Sequence, residues 1–351
     1  MSKIYRLLII GICIVILIVA CDREAYLQDN RSPNSSNSDR STPASSESCR
    51  LVEHEMGETE VCGQPQKVAA LSPHILDSML ALGVQPAAYA ESVNLNIQTY
   101  DNPAKQIPYL GQWVTTKPVG IGDRSSPSLE RLAQLQPDLI LGEEWNNKDE
   151  YSLLTQIAPT LLFSDTKNPN EIQSWQQDIQ GIAKALGKQA QAEELLKAFN
   201  RQIAQARTAL QPVLQKYPRV FLISSNLTTQ IYSQPESTTA RLLKEIGFEI
   251  VQPEGTKGNR EISQEILSQI KTDLIIVLSY SDDSFDNWED TVRQKWANNP
   301  LLNSMPVSQQ GRVYFVDYYL WGSHIRGPLT DQLILEALPD LLLGGVEREK
   351  T

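Results

Sequence analysis

The feature that most limits the fold of this chain is a repeated pattern of fourteen residues, whose two copies begin 135 positions apart at Ser128 and Ser263. Both copies read S-x-E-x-L-x-Q-[LI]-x-x-D-L-I-[LI], with seven identical positions. Each copy predicts a capping serine, a short amphipathic helix, a turn and a buried apolar strand. Helix-strand units are common, so a chance match is the alternative. The simpler interpretation is two related α/β lobes.

A second pattern lies between the two copies. From Lys188 to Gln211 apolar residues recur at steps of three and four, and Pro212 follows. This spacing predicts one amphipathic helix about 36 Å long. Strand and helix patterns alternate on both sides of it, which is typical of parallel sheets covered by helices on both faces. We therefore predict an α/β protein of two lobes with mostly parallel sheets, joined by one long bridging helix.

The chain begins with Lys3 and Arg6, followed by an apolar run from Leu7 to Ala20 that stops at Cys21. A basic start and a short apolar run are typical of a secretory signal, whereas a membrane span usually needs about twenty apolar residues. The residues Ile-Val-Ala-Cys at 18–21 match the bacterial lipobox, in which the cysteine is lipidated and becomes the new N-terminus. An uncleaved anchor helix is the alternative. Both interpretations place the body of the protein outside the cytoplasm.

Composition and pattern together predict how the chain is divided. Residues 21–48 are rich in Ser, Asn, Asp, Arg and Pro, and so few apolar side chains cannot offset the loss of chain entropy on folding. In chain order, the predicted parts are a lipoprotein signal peptide at 1–20, a disordered tether at 21–48, a β-hairpin extension at 49–66, an N-terminal α/β lobe at 67–187, the bridging helix at 188–216 and a C-terminal α/β lobe at 217–345.

Two cysteines, Cys49 and Cys62, remain once the signal is removed and Cys21 is lipidated. Alternating residues on either side of Gly57 predict a β-hairpin, and a disulfide across it suits an oxidising compartment. Metal binding by these two cysteines together with His54 is the alternative. That spacing matches no zinc motif, however, and a fourth ligand is lacking.

Charge and histidine content narrow the classes of ligand. The formal charge of −11 argues against nucleic acid, because nucleic-acid binding requires a basic face. The three histidines, His54, His74 and His324, are scattered along the chain, which argues against direct capture of zinc or manganese. Bare ferric ion held by some of the twelve tyrosines stays an alternative. No metal site and no cofactor is predicted.

Taken together, these features resemble the siderophore- and cobalamin-type periplasmic binding proteins of ABC importers, from Lys67 to about Leu343. The resemblance rests on the bridging helix and on the segments G-I-G-D-R-S-S-P-S-L-E-R-L-A-Q-L-Q-P-D-L-I-L-G, G-R-V-Y-F-V-D-Y-Y-L-W and R-G-P. It implies the class III arrangement of two lobes. It also implies a monomeric, non-enzymatic lipoprotein that captures a ferric siderophore between the lobes and delivers it to a permease dimer with a cytoplasmic ATPase.

Glu130 and Glu265 occupy the same position in the two repeats. The resemblance implies that they dock onto arginines of the permease dimer. A protein with pseudo-two-fold lobes and equivalent carboxylates suits a two-fold partner with paired cations. The alternative is that each glutamate only compensates the dipole of its helix.

For the ligand, the resemblance implies that Arg124 contacts the iron-chelating oxygens, and a guanidinium suits such anionic oxygens. Trp145 and Trp321 lie just past predicted strand ends, where open α/β sheets form binding crevices, so we expect them to cover apolar faces of the ligand. Either tryptophan could instead belong to the core. The same argument adds three further candidates: Tyr280, Tyr319 and Arg326.

Two rival functions are binding of cobalamin or haem, and an exported enzyme. The chain contains no G-x-S-x-G elbow, no H-E-x-x-H, no Walker lysine loop and no G-x-G-x-x-G after a strand. Ser72, His74 and Asp77 are neighbours in one helical turn, where side chains point in different directions and cannot form a triad. Within the binding class, Arg124 favours an anionic chelate over cobalamin.

Overall fold

A computed structural model describes residues 48–91, 96–164, 174–225, 230–279 and 288–348. The predicted signal peptide, Cys21, Tyr280 and all of the predicted tether except Ser48 lie outside these ranges. The first element is the predicted hairpin, formed by antiparallel strands β1 (Cys49–His54) and β2 (Gly57–Cys62). A disulfide joins the first residue of β1 to the last residue of β2.

The hairpin is attached to the rest of the fold through His54 and Arg50. The imidazole of His54 accepts a hydrogen bond from the amide of Leu162 at 3.3 Å through Nδ1, and its Nε2 bonds the hydroxyl of Thr59 at 2.9 Å. Both ring nitrogens therefore have protein partners. With the two cysteines bonded to each other, the alternative of a metal site at Cys49, Cys62 and His54 is wrong.

The N-terminal sheet has six strands: β3 (Val68–Ala70), β4 (Ala88–Glu91), β5 (Val119–Asp123), β6 (Ser126–Pro127), β7 (Leu139–Glu143) and β8 (Thr160–Phe163). Their order is β6-β5-β4-β3-β7-β8, and every pairing is parallel except that of β5 with β6. Successive residues of β3 enter different apolar clusters, Val68 on one face and Ala69 on the other. Both faces of the sheet are thus buried, as expected for parallel strands.

The helices of this lobe are α1 (Pro73–Ala81), α2 (Pro103–Gln106), α3 (Leu129–Leu135), α4 (Glu144–Asn147), α5 (Tyr151–Leu154) and α6 (Trp175–Leu186), with a 3₁₀ helix at Leu110–Trp113. Helix α5 is a single turn that ends at Leu154. Strand β5 was not predicted, because its sequence V-G-I-G-D contains two glycines, which weaken a strand pattern.

The predicted bridging helix is observed as α7 (Gln189–Ala209), which has 21 residues and is about 31 Å long. The short helix α8 (Gln211–Lys216) follows it directly, with a proline in its first turn. Helix α7 packs against α6, the helix that precedes it in the chain. None of the described helices is both long and apolar enough to cross a membrane.

The C-terminal sheet also has six strands: β9 (Arg219–Ser225), β10 (Ile231–Ser233), β11 (Glu249–Ile250), β12 (Arg260–Ile262), β13 (Leu274–Ser279) and β14 (Val313–Asp317). The order is β12-β10-β9-β13-β14, and β11 also pairs with β9. Strands β9, β11, β13 and β14 pair in parallel. The short strand β10 is antiparallel to both of its neighbours. This antiparallel edge was not predicted, because its strands have only three residues each.

The helices of the C-terminal lobe are α9 (Thr238–Ile246), α10 (Gln264–Gln269), α11 (Trp288–Asn298), α12 (Pro300–Asn303), α13 (Pro306–Gln309), α14 (Tyr318–Trp321) and α15 (Pro328–Arg348). The guanidinium of Arg207, near the end of α7, donates to the carbonyls of Glu245 and Ile246 in the last turn of α9. The bridging helix is therefore bonded to this lobe. The predicted fold, two α/β lobes with mostly parallel sheets and one long connecting helix, is confirmed.

The two copies of the repeat adopt the same local structure, α3 leading into β7 and α10 leading into β13. Ser128 caps α3 by accepting a hydrogen bond from the amide of Arg131, and Ser263 caps α10 in the same way. Leu132 and Leu267 are both completely buried.

The repeated aspartates also have the same role. Asp138 accepts the amide of Lys67 at 3.0 Å, just before β3, and Asp273 accepts the amide of Arg219 at 3.0 Å, where β9 begins. Each aspartate therefore links the start of one central strand to that of its parallel neighbour.

Candidate functional site

Acidic residues end strands in both sheets. Glu91 ends β4 and Glu143 ends β7 in the N-terminal sheet, and Asp317 ends β14 in the C-terminal sheet. The carboxyl ends of parallel strands form one edge of a sheet, and open α/β sheets bind ligands outside that edge. Side-chain contacts between the lobes show that these two edges face each other.

Two of these contacts are hydrogen bonds from tyrosine hydroxyl groups. Tyr319 of the C-terminal lobe donates to Oε1 of Glu91 at 2.8 Å, and Tyr89 donates to Oε2 of the same carboxylate at 2.6 Å. Tyr109 of the N-terminal lobe donates to the carboxylate of Asp317. The rings of Tyr109 and Tyr319 are stacked with centroids 6.2 Å apart. The lobes therefore meet through a polar, aromatic contact.

The third contact is an ion pair between Glu143 and the guanidinium of Arg326, and the two side chains are only 1% and 5% exposed. Burial alone would raise the pKa of Glu143, but the positive charge of Arg326, with smaller effects from His74 and Arg124, lowers it to about 2. His74 supports the pair, because its Nδ1 donates to the backbone carbonyl of Arg326 at 2.7 Å. The pair is thus fully charged at neutral pH.

Arg124 and Trp145 lie together beside this ion pair. Arg124 directly follows β5, and its guanidinium carbon lies 5.2 Å from the centroid of the Trp145 ring, a cation–π contact. Its amide donates to the carbonyl of Glu91 and its carbonyl accepts from the side chain of Asn147 at 2.7 Å. Trp145 is 48% exposed. The structure thus brings two of the predicted ligand-binding residues onto one accessible surface.

Tyr318 and His324 of the C-terminal lobe lie near Arg124, and neither was predicted as a ligand-binding residue. Burial raises the pKa of Tyr318 and the charge of Arg124 lowers it in part. Burial, then the charges of Arg124 and Arg326, lower the pKa of His324 to about 4, so its imidazole is neutral at pH 7. Tyr318 is the first residue after β14, which is the signal that could have identified it. His324 follows α14, and its position depends on tertiary structure.

The structure corrects three predicted ligand contacts, because their side chains are buried against protein. Trp321 is 6% exposed and packs in the main apolar cluster, where its carbonyl accepts a hydrogen bond from Thr239 at 2.6 Å. Tyr319 is also 6% exposed and bonds Glu91, and Arg326 is 4% exposed and pairs with Glu143. None of the three therefore covers a ligand in this conformation. They hold the lobes together or fill the core instead.

The glycine of the R-G-P segment is required by a close contact between the chain and helix α1. Gly327 passes so close to α1 that a Cβ atom there would lie 2.2 Å from Cγ of Asp77. The carboxylate of Asp77 in turn accepts the amides of Leu329 and Thr330 at 2.8 and 2.9 Å, in the first turn of α15. Helix α1 of the first lobe therefore fixes the chain between Arg326 and Thr330.

Glu130 and Glu265 are both exposed, and each is the second residue of its helix, α3 or α10. A hydrogen bond with Ser263 lowers the pKa of Glu265. Glu130 accepts a hydrogen bond from Gln134 at 3.1 Å. Both carboxylates are thus presented to solvent at equivalent places in the two lobes. Of the remaining predictions, Cys21 and Tyr280 lie outside the described residues.

A separate pocket of about 400 Å³ lies along the outer side of edge strand β14, next to α11. Its charged residues include Glu289 and Arg293, which pair with each other one helical turn apart. The pocket does not lie at the carboxyl ends of the strands, so the facing strand ends are the better candidate for the functional site.

The model of the periplasmic binding protein family matches residues 68–320. The Fe(3+)-citrate-binding protein YfmC of Bacillus subtilis (strain 168) is 27% identical over 298 residues, which cover 84% of this chain and 86% of that protein. The Fe(3+) dicitrate-binding periplasmic protein FecB of Escherichia coli (strain K12) is 26% identical over 285 residues, covering 79% and 84%.

Among solved structures, Staphylococcus aureus SirA complexed with staphyloferrin B has the same fold. The TM-score is 0.68 at 21% sequence identity, and the match covers 84% of this chain and 98% of SirA. Since the family model spans well over half of the sequence, this chain belongs to the periplasmic binding protein family.

Proposed function

We propose that this chain is the substrate-binding lipoprotein of an ABC importer and that it captures a ferric siderophore between its two lobes. The observation that carries the proposal is the pairing of Arg124 with the exposed ring of Trp145 at the carboxyl ends of the N-terminal strands. A guanidinium can donate several directed hydrogen bonds to the oxygens that chelate iron, and an exposed indole can cover the apolar part of the chelator. The names of YfmC, an Fe(3+)-citrate-binding protein, and FecB, an Fe(3+) dicitrate-binding protein, support a ferric chelate as the general class of ligand.

We propose that the protein binds a ferric chelate and delivers it to the permease, and that it performs no chemistry on this ligand. A chelator already fills the coordination sphere of the iron, so the protein needs no metal ligand of its own. The residues around Arg124 suit this role, because Tyr318 and the neutral imidazole of His324 offer polar aromatic surface on the opposite lobe. Cobalamin or haem in the same cleft is the second candidate, since both present large apolar faces to which Trp145 could bind.

Delivery requires a second surface, which we assign to Glu130 and Glu265. Both are exposed and lie at the beginning of equivalent helices, so they can meet paired cations on a two-fold permease whose cytoplasmic ATPase drives import. The N-terminal segment fits the same role. Lipidation at Cys21 and the polar stretch at 21–48 would hold a monomeric binding protein at the outer side of a membrane.

The test is a fluorescence titration of the purified full chain with ferric trihydroxamate, ferric citrate, ferric catecholate, cobalamin, haem and free metal salts. We expect saturable quenching of tryptophan fluorescence by at least one ferric chelate, and none by the free salts. A Trp145→Phe variant corrects for light absorbed by the coloured ligands. Binding of cobalamin or haem alone would overturn the siderophore assignment, and binding of nothing would overturn the proposed function.

A further inference from the structure

Resting on the function proposed above, we propose that the cleft selects ferric chelates whose net charge is close to zero. Such chelates are of the hydroxamate type, and the cleft discriminates against strongly anionic citrate and catecholate complexes. The inference comes from the balance of charge at the facing strand ends. It names the class of siderophore, which neither the fold nor the family decides.

Few positive charges lie at the facing strand ends. Among the described residues at the facing strand ends, the cations are Arg124 and Arg326. The charge of Arg326 is cancelled by Glu143, its buried partner. His324, which lies close to both arginines, is neutral at pH 7 because its pKa is lowered to about 4. Among the described residues at the facing strand ends, Arg124 is thus the one cation that has no described carboxylate within salt-bridge distance.

Negative charges are more numerous at the facing strand ends. Asp317 and Glu91 lie at the same facing edges and accept hydrogen bonds from Tyr109 and Tyr319 across the interface. These phenol groups stabilise the carboxylates but bring no positive charge. Asp123 immediately precedes Arg124 and accepts the amide of Ser125 at 2.7 Å. The described part of the cleft therefore holds more carboxylates than guanidinium groups, and its field opposes a highly anionic ligand.

Ferric chelates of different chemical classes differ in net charge. Catecholates and α-hydroxycarboxylates bring more negative charge than a ferric ion can neutralise, so their complexes are anionic. Hydroxamates bring one negative charge each, and a ferric trihydroxamate is neutral. Its chelating oxygens can still accept hydrogen bonds from Arg124, and its aliphatic chain can pack on Trp145. Placing an anionic complex beside Asp317 and Glu91 would weaken its binding, because like charges repel.

The experiment compares three chelates by isothermal titration calorimetry on the purified full chain in detergent: ferrioxamine E, which is neutral, ferric citrate and ferric enterobactin, which are anionic. We expect ferrioxamine E to bind at least about tenfold more tightly than either anionic complex. Its affinity should change little between low and high salt, because a neutral ligand forms no long-range charge interaction.

Two variants test the charge argument directly. Asp317→Asn removes a negative charge and keeps one oxygen, which can still cap α14 by accepting the amide of Tyr319, while its amide nitrogen can donate to the hydroxyl oxygen of Tyr109. We expect it to raise the affinity for ferric citrate by roughly threefold to tenfold and to change that for ferrioxamine E by less than about twofold. The matched control is Glu194→Gln on α7, where the side chain is 67% exposed. Glu194 lines a groove with Ala81, at the end of α1 remote from the strand ends, and its substitution should change neither affinity.

The outcomes separate this inference from the function on which it rests. Tighter binding of ferric citrate or ferric enterobactin than of ferrioxamine E would overturn the preference for low charge and would support the importer function. An Asp317→Asn variant that behaves like Glu194→Gln would also overturn the charge argument. If the chain binds none of the three chelates, both the inference and the proposed function are wrong.

Discussion

Arg326 of the C-terminal lobe forms a buried ion pair with Glu143, which ends a central strand of the N-terminal lobe. The two residues are 183 positions apart in the sequence. Their side chains are almost fully buried, so neither charge is solvated by water if the other is removed. The pair is accordingly both a contact between the lobes and the polar floor of the proposed ligand cleft.

Substitution of Arg326 by leucine is expected to be strongly destabilising, because it leaves the carboxylate of Glu143 buried without its partner. The expected loss in the free energy of unfolding is about 3–5 kcal/mol, measured by urea denaturation. The matched control is Lys197→Met, which breaks the exposed pair with Glu194 and should leave the free energy of unfolding nearly unchanged. Equal losses in the two variants would contradict the assignment.

Removal of the Tyr319 hydroxyl group tests the second contact between the lobes. Tyr319→Phe deletes the hydrogen bond to Glu91 and leaves one oxygen of a buried carboxylate without that donor. We expect the free energy of unfolding to fall by about 1–3 kcal/mol. Tyr232→Phe is the control, since its hydroxyl group bonds the exposed side chain of Gln230, and we expect a change within about 0.5 kcal/mol. If the free energy of unfolding of Tyr319→Phe equals that of the native chain, the hydrogen bond between Tyr319 and Glu91 contributes nothing to stability.

The stability of the protein should depend on the titration of Asp77. Burial raises the pKa of Asp77 from 3.8 to about 6, against the effect of its hydrogen bonds to Thr330 and Leu329. Because the pKa is higher in the folded state, this group's contribution to stability is fully present below about pH 4. That contribution is lost as the pH rises through about 6.

An Asp77→Asn variant removes this titration while keeping one oxygen acceptor for the first turn of α15. The unfolding free energy of the native chain, relative to that of the variant, should fall by about 2 kcal/mol between pH 4 and pH 6.5. Urea denaturation at a series of pH values measures it. A difference that does not change with pH would mean that Asp77 titrates normally in the folded protein.

Arg124 and Trp145 should have separable effects on the ligand. Arg124→Gln removes the uncompensated charge and several donors, so we expect the affinity for the ferric chelate to fall by roughly tenfold to a hundredfold. Trp145→Phe should retain most of the affinity but lose most of the quenching, because among the described indole side chains Trp145 is the one exposed beside Arg124. Calorimetry and fluorescence on both variants measure the two effects. Loss of quenching without loss of affinity in Arg124→Gln would reverse the assignment.

Glu130 and Glu265 should affect delivery and leave ligand binding unchanged. In the double variant Glu130→Gln with Glu265→Gln, both helices keep their serine caps, and we expect the chelate affinity to be unchanged. Uptake of radioactive iron by cells that carry the variant should fall at least about tenfold. Each single variant should have a smaller effect. Full uptake with the double variant would show that these carboxylates do not dock the permease.

Much of the architecture follows from local sequence. The repeat predicted two equivalent helix-strand units, and the structure explains why its aspartate is repeated. Asp138 and Asp273 each accept the amide where a neighbouring central strand begins. The bridging helix was equally clear, since an apolar stripe over twenty residues has only one regular conformation that buries it. Strands such as β5 and β10 were missed because glycine content or short length removed the alternating pattern.

The site could not be predicted in the same way. Its polar contacts join residues that are far apart in the sequence, and no local pattern connects them. The sequence alone identified residues that follow strand ends, and of these Arg124 and Trp145 do lie together on an accessible surface. It could not show that Arg326 and Tyr319 point inward to Glu143 and Glu91, since burial and partners depend on how the two lobes approach. The two-lobed α/β framework therefore follows from the sequence, because local periodicity and capping hold its elements. Which charges at the strand ends are cancelled, and which face the proposed ligand, depends instead on how the two lobes pack against each other.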